Sequence, residues 1–447
     1  MTLSQYLTTQ LAKAHHSYSQ RNPKSQKAYE DSTEHLPGGN TRTVIHADPF
    51  PLTFVKGDQN TLTSIDGHKY IDLLGEFSAG IFGHSDPRIA VAVKDALSRG
   101  WNYGGTSVYE KEMARKVCER FGPSGLELVR FTNSGTEANT MAIATALNVT
   151  GRKKILVFSS GYHGATLVFP LALMKGDKVA TMNLPHDFVY APYNNIEETR
   201  EILGQLPRDS LAAILVEPIQ GSGGCRPGHV IPSRKIRLLC QMNIRADILT
   251  LGKYIGGGMT IGAFGGRRDI MELFDPTKSK LLHPGTYNNN VVSMAAGIAG
   301  LDIYNALEVD RLNALGEELR KDIQSVFIKH GLYPENFPGP STGFVEIDSL
   351  QKNAMVQIEA EGNEHIELPP IFVTGRGSML NVRFSGEEAS MWQALFYHHM
   401  LSSGINIAAR GYTALHLRVS PSDCDAYVRS IEAFVVEHKP MLKSMLK

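Results

Sequence analysis

Short apolar runs alternate with helical stretches along most of this chain, and this alternation limits the possible fold more than any other feature. The runs "KKILVF" and "LAAILVEP" are apolar without alternation of polar and apolar residues, as expected for strands that are covered on both faces. Helical segments such as residues 135–149 separate these runs. The pattern predicts an α/β fold with a parallel sheet wrapped by helices.

The length and the changes of pattern along the chain predict two domains. A chain of 447 residues is too long for one ordinary core. The α/β pattern ends near the charged amphipathic helix "LEVDRLNALGEELRKDIQSVF", which is followed by the Pro/Gly-rich "ENFPGPSTG" and a mixed α+β region. The first thirty-odd residues read as a polar helix leading into the turn "LPGGN". We therefore predict a large domain over residues 61–304 and a smaller α+β domain over 305–447, which the segment 1–60 joins.

Charge and cysteine content argue against several classes of function. Lys plus Arg (45) equals Asp plus Glu (45), so no electrostatic argument favours nucleic acid or an anionic membrane, and we expect a small-molecule ligand. The sequence has no apolar run long enough to cross a bilayer, and its N-terminus lacks the apolar core of a signal peptide. No C-x-x-C pair is present, so we expect neither a metal site nor disulfides, and a soluble cytoplasmic protein. The four cysteines are Cys118, Cys225, Cys240 and Cys424.

Two local patterns predict particular elements. The stretch "LTSIDGHKYIDL" places two β-rich runs around Asp66-Gly67, which is a strong hairpin signal. In the segment that starts at Gly135, five residues fall on one helical face, and Gly151 follows as a stop signal. These five are Ala138, Met141, Ala142, Thr145 and Val149.

The stretch "VRFTNSGTEANTMA" reads as a strand, a polar loop and a helix that begins near Ser134, Gly135 and Thr136. Such a helix start presents unpaired N–H groups and the positive end of the helix dipole, and the two hydroxyls add donors. We interpret it as a phosphate site. The alternative is that Ser134 only caps the helix. A P-loop lysine is missing, which argues against a nucleoside triphosphate.

Two further motifs follow buried strands, where α/β sheets bind their ligands. In "SSGYHGATL", Tyr162 and His163 follow "KKILVF", and an aromatic side chain there can stack on a planar ring. The alternative is that Tyr162 is ordinary packing. In "VEPIQG", Glu217 ends another buried strand, where a carboxylate is costly unless it is paired or functional.

Lys253 lies between an apolar run and a chain of glycines in "ADILTLGKYIGGGMTIGAFGG". A lone lysine is usually a solvated charge. Together with a phosphate site and a stacking aromatic, however, it completes the set needed to hold pyridoxal phosphate as a Schiff base. A dinucleotide loop is the weaker interpretation, because G-x-G-x-x-G is not cleanly present.

Five motifs in order resemble the class III pyridoxal-phosphate aminotransferases, in the branch of glutamate-1-semialdehyde aminomutase and β-phenylalanine aminotransferase. They are "FTNSGTEAN", "GYHG", "VEPIQG", "LTLGKYIGGGMTIGAFGG" and "GTYNNN". The resemblance implies an aspartate aminotransferase-like fold, fold type I, and a homodimer with active sites at the subunit interface. It implies that Lys253 forms the Schiff base, that Tyr162 stacks on the cofactor ring, and that Thr286 reaches the phosphate of the partner subunit.

The resemblance also suggests how a substrate carboxylate is bound. "PGGNTRTV" is similar to the β-phenylalanine aminotransferase pattern, which implies that Arg42 binds the carboxylate; a guanidinium can do so with two parallel hydrogen bonds. Arg410 in "AARGY" and Arg418 in "LHLRVSP" lie where relatives keep a carboxylate-binding or gating arginine. The sequence does not decide between these two arginines.

Between Glu217 and Lys253 the sequence departs from the family pattern. Relatives carry a further strand ending in Asp-Glu-Val in this interval, so a strand-and-helix unit on the order of 30 residues is missing here. In the family, that Asp holds a proton on the cofactor's pyridine nitrogen, and the protonated ring is the electron sink. We do not expect Asp247 to replace it, because six positions before Lys253 it is placed to cap or turn the chain.

Three functions follow from these observations. The first is an aminotransferase that acts on an amino acid of the β-amino or aromatic kind, with an oxo acid as acceptor. The second is an aminomutase or a racemase or epimerase, for which a weaker electron sink suffices. The third is a catalytically impaired family member. The intact lysine, phosphate loop and tyrosine favour the first.

Overall fold

The computed structural model describes residues 2–227, 245–278, 280–332, 344–345, 358–359, 365–366 and 368–446. By its internal contacts the chain divides into two compact units. The first unit combines Met1–Ser85 with Arg311–Lys447, and the second unit is Asp86–Asp310. Within the described ranges, no helix is both long enough and apolar enough to span a membrane.

Twelve α-helices lie in the described residues. They are α1 (Leu3–Arg21), α2 (Pro23–Thr33), α3 (Pro87–Ser98), α4 (Val108–Phe121), α5 (Gly135–Thr150), α6 (Leu171–Met174), α7 (Ile196–Gly204), α8 (Arg268–Met271), α9 (Val291–Ile303), α10 (Ala306–Lys329), α11 (Ala389–Ser402) and α12 (Pro421–Lys443).

The described strands come in the order β1 (Phe54–Asp58), β2 (Thr61–Ser64), β3 (Lys69–Asp72), β4 (Leu128–Thr132), β5 (Lys154–Phe158), β6 (Gly161–Tyr162), β7 (Val168–Phe169), β8 (Asp187–Ala191), β9 (Leu211–Leu215), β10 (Ile219–Gln220), β11 (Arg226–Pro227), β12 (Ile248–Gly252), β13 (Gly262–Gly266), β14 (Phe344–Val345), β15 (Ile358–Glu359), β16 (His365–Ile366), β17 (Ile371–Arg376), β18 (Met379–Phe384), β19 (Ile405–Asn406) and β20 (Tyr412–Ala414).

The second unit contains two three-stranded sheets. One has the order β8-β5-β9 and is parallel, as the uninterrupted apolar runs predicted. The other has the order β12-β13-β4 and is antiparallel, because the chain turns back after Lys253 and β13 runs between the other two strands. Helix α5 packs against β12, β13 and β4 of one sheet and against β9 of the other. Both sheets therefore share this helix.

Helix α5 begins and ends at the predicted residues. The hydroxyl of Ser134 caps its first turn, and Gly151 ends it in the left-handed conformation with φ of 66°. Ala138, Ala142 and Thr145 are buried, which confirms the predicted inner face for them. Val149 is 44% exposed, since it lies in the last turn, beyond the sheet.

The first unit contains the predicted hairpin, in which β2 pairs antiparallel with β3. The N-terminal segment forms two helices, not the single helix that its polar pattern suggested. The break falls at Asn22-Pro23, because a proline inside a helix removes one backbone hydrogen bond and clashes with the preceding turn. The predicted amphipathic helix is α10, whereas "ENFPGPSTG" lies outside the described residues.

Candidate active site

The predicted phosphate loop lies between β4 and α5. The Ser134 hydroxyl accepts a hydrogen bond from the backbone N–H of Glu137 at 3.2 Å, so the capping interpretation of this serine holds. Its O–H remains able to donate to a ligand. Gly135 and Thr136 occupy the first helical turn, whose N–H groups have no partner within a helix. The segment thus keeps the donors that an anion needs.

Glycines from two other motifs press against this loop. A Cβ at Gly262 would overlap the carbonyl oxygen of Ser134, so β13 and the loop can approach only without a side chain there. At Gly164, in "GYHG", a Cβ would lie 2.8 Å from the Thr136 Cα, and φ is +116°, which favours glycine. Gly252, which precedes the lysine, lies beside Gly135, with 3.4 Å between a Cβ built on Gly252 and the Gly135 Cα. The structure therefore brings three motifs that are distant in sequence to one place.

Lys253 follows the last residue of β12 and is exposed. Its φ is 56°, in the left-handed region, where a non-glycine residue costs about 1–3 kcal/mol. Strain of this kind persists where surrounding structure imposes it, and the pairing of Gly252 with Gly262 holds the chain directly before Lys253. The lysine thus leaves the sheet directly beside the phosphate loop.

Glu217 lies two residues beyond β9 and contacts the "GYHG" motif. Its Oε2 accepts a hydrogen bond from the backbone N–H of Tyr162 at 2.9 Å. Burial raises the pKa of this carboxyl to about 7, although the Tyr162 and Gly221 N–H groups and the charges of Lys253 and Arg226 act in the opposite direction. Glu217 therefore anchors the backbone of Tyr162 and feels the charge of Lys253.

The two adjacent aromatic residues, Tyr162 and His163, have different environments. Tyr162 is 42% exposed, so its ring is accessible to a ligand. His163 is buried, with its ring centroid 6.0 Å from that of Phe169, and burial lowers its pKa to about 4. The environment of His163 favours a packing role for a neutral imidazole.

Sequence reasoning missed two polar residues that hold this region together. The Asn139 side chain donates to the carbonyl of His163 at 2.8 Å and accepts from the Thr250 hydroxyl at 2.8 Å, which links α5 to β12 and to the "GYHG" motif. Buried Arg226 donates to Gln220 at 2.6 Å and lies over the Tyr193 ring at 5.5 Å. The polar residue Asn139 on the otherwise apolar face of α5 was a usable signal.

Thr286 is exposed on the loop before α9. Its loop is linked to the phosphate region through Asn288, whose Oδ1 accepts from the Asn133 side chain at 3.3 Å.

The hydrogen bonds of Asp247 indicate a structural role. Its carboxylate accepts from Arg267 at 2.8 Å, and its carbonyl accepts from the Arg267 N–H at 3.1 Å. Asp247 therefore fixes the start of β12, as the sequence suggested.

Two of the three predicted substrate arginines meet in the first unit. Arg42 forms an ion pair with Glu76 and lies 5.7 Å from the Phe77 ring centroid. The Arg410 guanidinium lies 5.6 Å from the same ring. Arg418 packs instead against Gly83, and its Cγ lies 2.5 Å from the position that a Cβ built on Gly83 would occupy. Arg42 and Arg410 thus form a pair around Phe77 that Arg418 does not join.

The segment that carries Phe77 is strained. Gly75, Glu76, Phe77 and Ser78 all have positive φ, between 47° and 74°. A Cβ at Gly75 would lie 2.7 Å from the Ala414 carbonyl oxygen, so the turn is also pressed against β20. Consecutive strained residues are concentrated at functional sites in proteins. This observation supports a functional role for the arginine pair.

Comparisons with known proteins show which family the sequence matches. The family model for aminotransferase class-III matches residues 44–243 and 239–333. The chain is 38% identical to the beta-phenylalanine transaminase of Variovorax paradoxus, over 97% of each chain. It is 29% identical to the glutamate-1-semialdehyde 2,1-aminomutase of Methanosarcina acetivorans, over 92% of this chain and 97% of the relative.

Solved structures have the same fold. The beta-phenylalanine aminotransferase of Variovorax paradoxus superposes with a TM-score of 0.83 at 34% identity, over 97% of this chain and 98% of the other. A transaminase with PLP bound superposes with a TM-score of 0.74 at 26% identity, over 95% and 99% of the two chains.

Proposed function

The chain belongs to the class III aminotransferases, which are pyridoxal-phosphate enzymes of fold type I, and from this premise we propose that it uses Lys253 to transfer the amino group of a β-amino or aromatic amino acid to an oxo acid. The observation that carries the proposal is the position of Lys253, which follows Gly252 and therefore starts beside Gly135 of the phosphate loop.

The residues around the phosphate loop and the "GYHG" motif fit the cofactor's phosphate and ring, whereas the Asp that the family pattern places at the pyridine nitrogen has no counterpart in the sequence. A side chain at Gly262 or Gly164 would displace the Ser134–Thr136 loop, and without one the first turn of α5 keeps its N–H groups directed at an anion. The exposed Tyr162 is available to cover a planar ring, and Glu217 holds its backbone at 2.9 Å. When bound, pyridoxal phosphate supplies an aldehyde for amines and a ring that withdraws electrons from the carbon bearing the amino group.

Lys253 has two tasks in this proposal. Its primary amine holds the cofactor through the aldehyde between turnovers. When the substrate amine takes its place, the Lys253 Nζ removes a proton from the amino-bearing carbon of the substrate and returns it on the cofactor side. Glu217, Ser134 and Thr136 position the groups around it and do not exchange protons with the substrate.

Replacement of Lys253 tests the proposal. Both Lys253→Ala and Lys253→Arg remove the primary amine, and the arginine variant keeps the charge. We expect each to lower amino transfer by at least about 10³-fold, with partial rescue of the alanine variant by added methylamine. Lys153→Ala, at an exposed lysine in the same unit, should have no effect. Turnover by Lys253→Ala close to that of the unchanged chain would refute the proposal.

We also propose that Arg42 and Arg410 bind the substrate carboxylate. Arg42 forms an ion pair with the exposed Glu76, and both guanidinium groups border Phe77, whose ring can contact an aromatic substrate. Arg42→Lys and Arg410→Lys should raise KM by about tenfold or more, because lysine cannot form the two parallel hydrogen bonds. Arg418→Lys and the exposed Arg200→Lys serve as controls and should change KM little.

An aminomutase or racemase is the second candidate. The similarity to glutamate-1-semialdehyde aminomutase and the broken match of the family model, whose two pieces meet at residues 239–243, favour it. Such an enzyme releases no oxo acid from its amino substrate. Measured oxo-acid release in proportion to product separates the two functions, and the absence of any turnover by pure cofactor-loaded protein would indicate an impaired family member.

The assembly and location follow the family expectation. We propose a cytoplasmic homodimer in which the exposed Thr286 of each subunit reaches the phosphate of the partner. Cys118, Cys225 and Cys424 form no disulfide bonds among the described residues, and Cys240 lies outside them. Light scattering should give twice the mass of the chain, and Thr286→Ala should weaken cofactor binding without changing that mass.

A further inference from the structure

The backbone at Lys253 lies between two segments that their neighbours hold in place. Directly before it, Gly252 pairs with Gly262 of β13. Directly after it comes a single 3-10 turn, Lys253–Gly256, in which Ile255 is fully buried. Lys253 itself is in the left-handed region, with φ of 56°, and needs outside contacts to stay there. The conformation of Lys253 therefore depends on the contacts that hold this turn.

The turn is pressed against the backbone of α9. A Cβ on Gly257, at the end of the turn, would overlap the carbonyl oxygen of Ala296. A Cβ on Gly297 would in turn lie 2.6 Å from the carbonyl oxygen of Ile255. The turn and the helix thus approach each other at two glycines without a side chain between them. α9 is consequently the base on which the turn rests.

Arg120, in the last turn of α4, joins the carboxyl end of α9. Its Nη1 donates to the Tyr304 carbonyl at 2.6 Å and, more weakly, to the Leu301 carbonyl at 3.4 Å. Tyr304 directly follows α9, where carbonyl groups lack helical partners and the helix dipole favours a cation. Arg120 therefore ties the base of the turn to α4.

The same guanidinium contacts Tyr254, the residue directly after Lys253. Its Cζ lies 5.7 Å from the centroid of the Tyr254 ring and 5.5 Å from that of the Tyr304 ring. The two rings meet edge to face, with 5.5 Å between their centroids. Burial raises the pKa of Tyr254, and a hydrogen bond and the charge of Arg120 act in the opposite direction. One arginine thus holds both the turn and the end of the helix beneath it.

We propose that Arg120 is a positioning residue for Lys253 and that it acts through Tyr254. The proposal rests on the proposed function, because the position of Lys253 matters only if its amine reacts with the cofactor and moves the substrate proton. A guanidinium suits this task, since it is planar, can cover a ring, and can donate to a carbonyl at the same time. With the Tyr254 ring held, the turn keeps Lys253 left-handed at the end of β12.

A double-mutant cycle tests whether the two residues act in one chain of contacts. Arg120→Met removes the charge and Tyr254→Leu removes the ring. Each should speed amide hydrogen exchange of the turn by about tenfold in the cofactor-free protein, read at the N–H groups of Gly257 and Met259, which bond within it. Each should also lower kcat by about tenfold or more with little change in KM, because a displaced lysine slows proton transfer. The double variant should be no worse than the worse single variant.

Two control variants separate positioning from general stability. Arg120→Lys keeps the charge and one donor, so exchange and kcat should both lie between those of the unchanged chain and Arg120→Met. It also serves if Arg120→Met does not fold. Arg115→Met makes the same change at a half-exposed arginine of α4, which pairs with Glu112 and Glu119, and should alter neither exchange nor kcat.

The proposal and the proposed function fail in different ways. If borohydride fixes no cofactor on Lys253 of the unchanged chain, the proposed function is refuted. If it does fix cofactor there, three results would overturn the role of Arg120 alone. These are unchanged exchange of the turn in Arg120→Met, faster exchange of the turn with unchanged kcat, and effects of Arg120→Met and Tyr254→Leu that multiply in the double variant. Faster exchange spread over all of residues 86–310 would also overturn it, because the arginine then stabilises the whole unit.

Discussion

The phosphate-loop side of the candidate site and the β9 side differ in how completely described neighbours cover them. At the phosphate loop, β13 is buried along its whole length, and glycines allow it to approach so closely that Gly262 has no room for a Cβ beside Ser134. On the β9 side, Ile214 is half exposed, and a Cβ on Gly221, past the end of β9, would meet no atom within 4 Å. β13 lies between two described strands, whereas β9 pairs with one described strand. The β9 side therefore has more open space than the phosphate loop.

The largest expected difference between the sides comes from adding one methyl group to each. Gly262→Ala would push its Cβ into the Ser134 carbonyl, and relief requires moving the backbone of β13 or of the phosphate loop. We expect a loss of more than about 4 kcal/mol in the free energy of unfolding, or no soluble protein. Gly221→Ala meets no atom within 4 Å and should change stability by less than about 0.5 kcal/mol. Denaturant unfolding measures both, and equal effects would break the comparison.

Replacing isoleucines on the neighbouring strands β5 and β9 by alanine should give a smaller difference in the free energy of unfolding. Ile155 on β5 is fully buried, so Ile155→Ala should cost about 3 kcal/mol in unfolding free energy. Ile214→Ala on β9 should cost less than about 1 kcal/mol, because half of that side chain is already in water. A cost for Ile214→Ala as large as that for Ile155→Ala would mean that the Ile214 side chain is covered in solution.

Glu217, at the end of β9, gives a pH-dependent prediction. Its pKa is raised to about 7 by burial, so the folded chain holds this proton more tightly than the unfolded chain does. The raised pKa contributes to the free energy of unfolding. This contribution is fully present below the ordinary carboxyl pKa of about 4.5 and is lost as the pH rises through 7. Between about pH 5 and pH 8, the free energy of unfolding of the cofactor-free chain should fall by on the order of 2 kcal/mol relative to that of Glu217→Gln.

The control for this prediction uses the same carboxylate position. Glutamine keeps an oxygen that can accept from the Tyr162 N–H, so Glu217→Gln should fold normally and show a flatter pH dependence. Unfolding free energies measured at both pH values for both proteins suffice. Parallel pH dependences would show that Glu217 ionises normally, and that the end of β9 is more open to water than its burial indicates.

The smallest expected effect lies in the first unit. Arg42 and Glu76 are both about half exposed, so their ion pair should stabilise the fold by less than about 1 kcal/mol. Glu76→Gln should therefore leave unfolding nearly unchanged, while it should alter KM for a carboxylate substrate by freeing Arg42. A stability loss above about 2 kcal/mol would instead assign the pair a structural role.

Much of the second unit was predictable from the sequence because its signals are local. The cap at Ser134, the stop at Gly151 and the strands β5 and β9 follow from short patterns, and the motifs identified the family correctly. The roles of the individual site residues stay predictions.

Other features could not be read from the sequence because they depend on tertiary contacts. The exposure of Ile214 differs from the expectation, because "LAAILVEP" reads as a strand that is buried on both faces. The sharing of Phe77 by Arg42 and Arg410 joins residues more than 300 positions apart, and nothing in the local pattern separates Arg410 from Arg418. The bridge from Asn139 to Thr250 and to the His163 carbonyl likewise exists only once α5 has packed.

The central claim is that Lys253 and the phosphate loop form a working cofactor site. Its most direct test is borohydride reduction of the purified chain with added pyridoxal 5'-phosphate, followed by peptide mass mapping and visible absorption spectra before and after a β-amino acid is added. We predict that the reduced cofactor is fixed on the peptide containing Lys253, and that the absorption band of the unreduced protein bleaches with substrate. A cofactor that washes away, or that is fixed on other lysines only, would contradict the account.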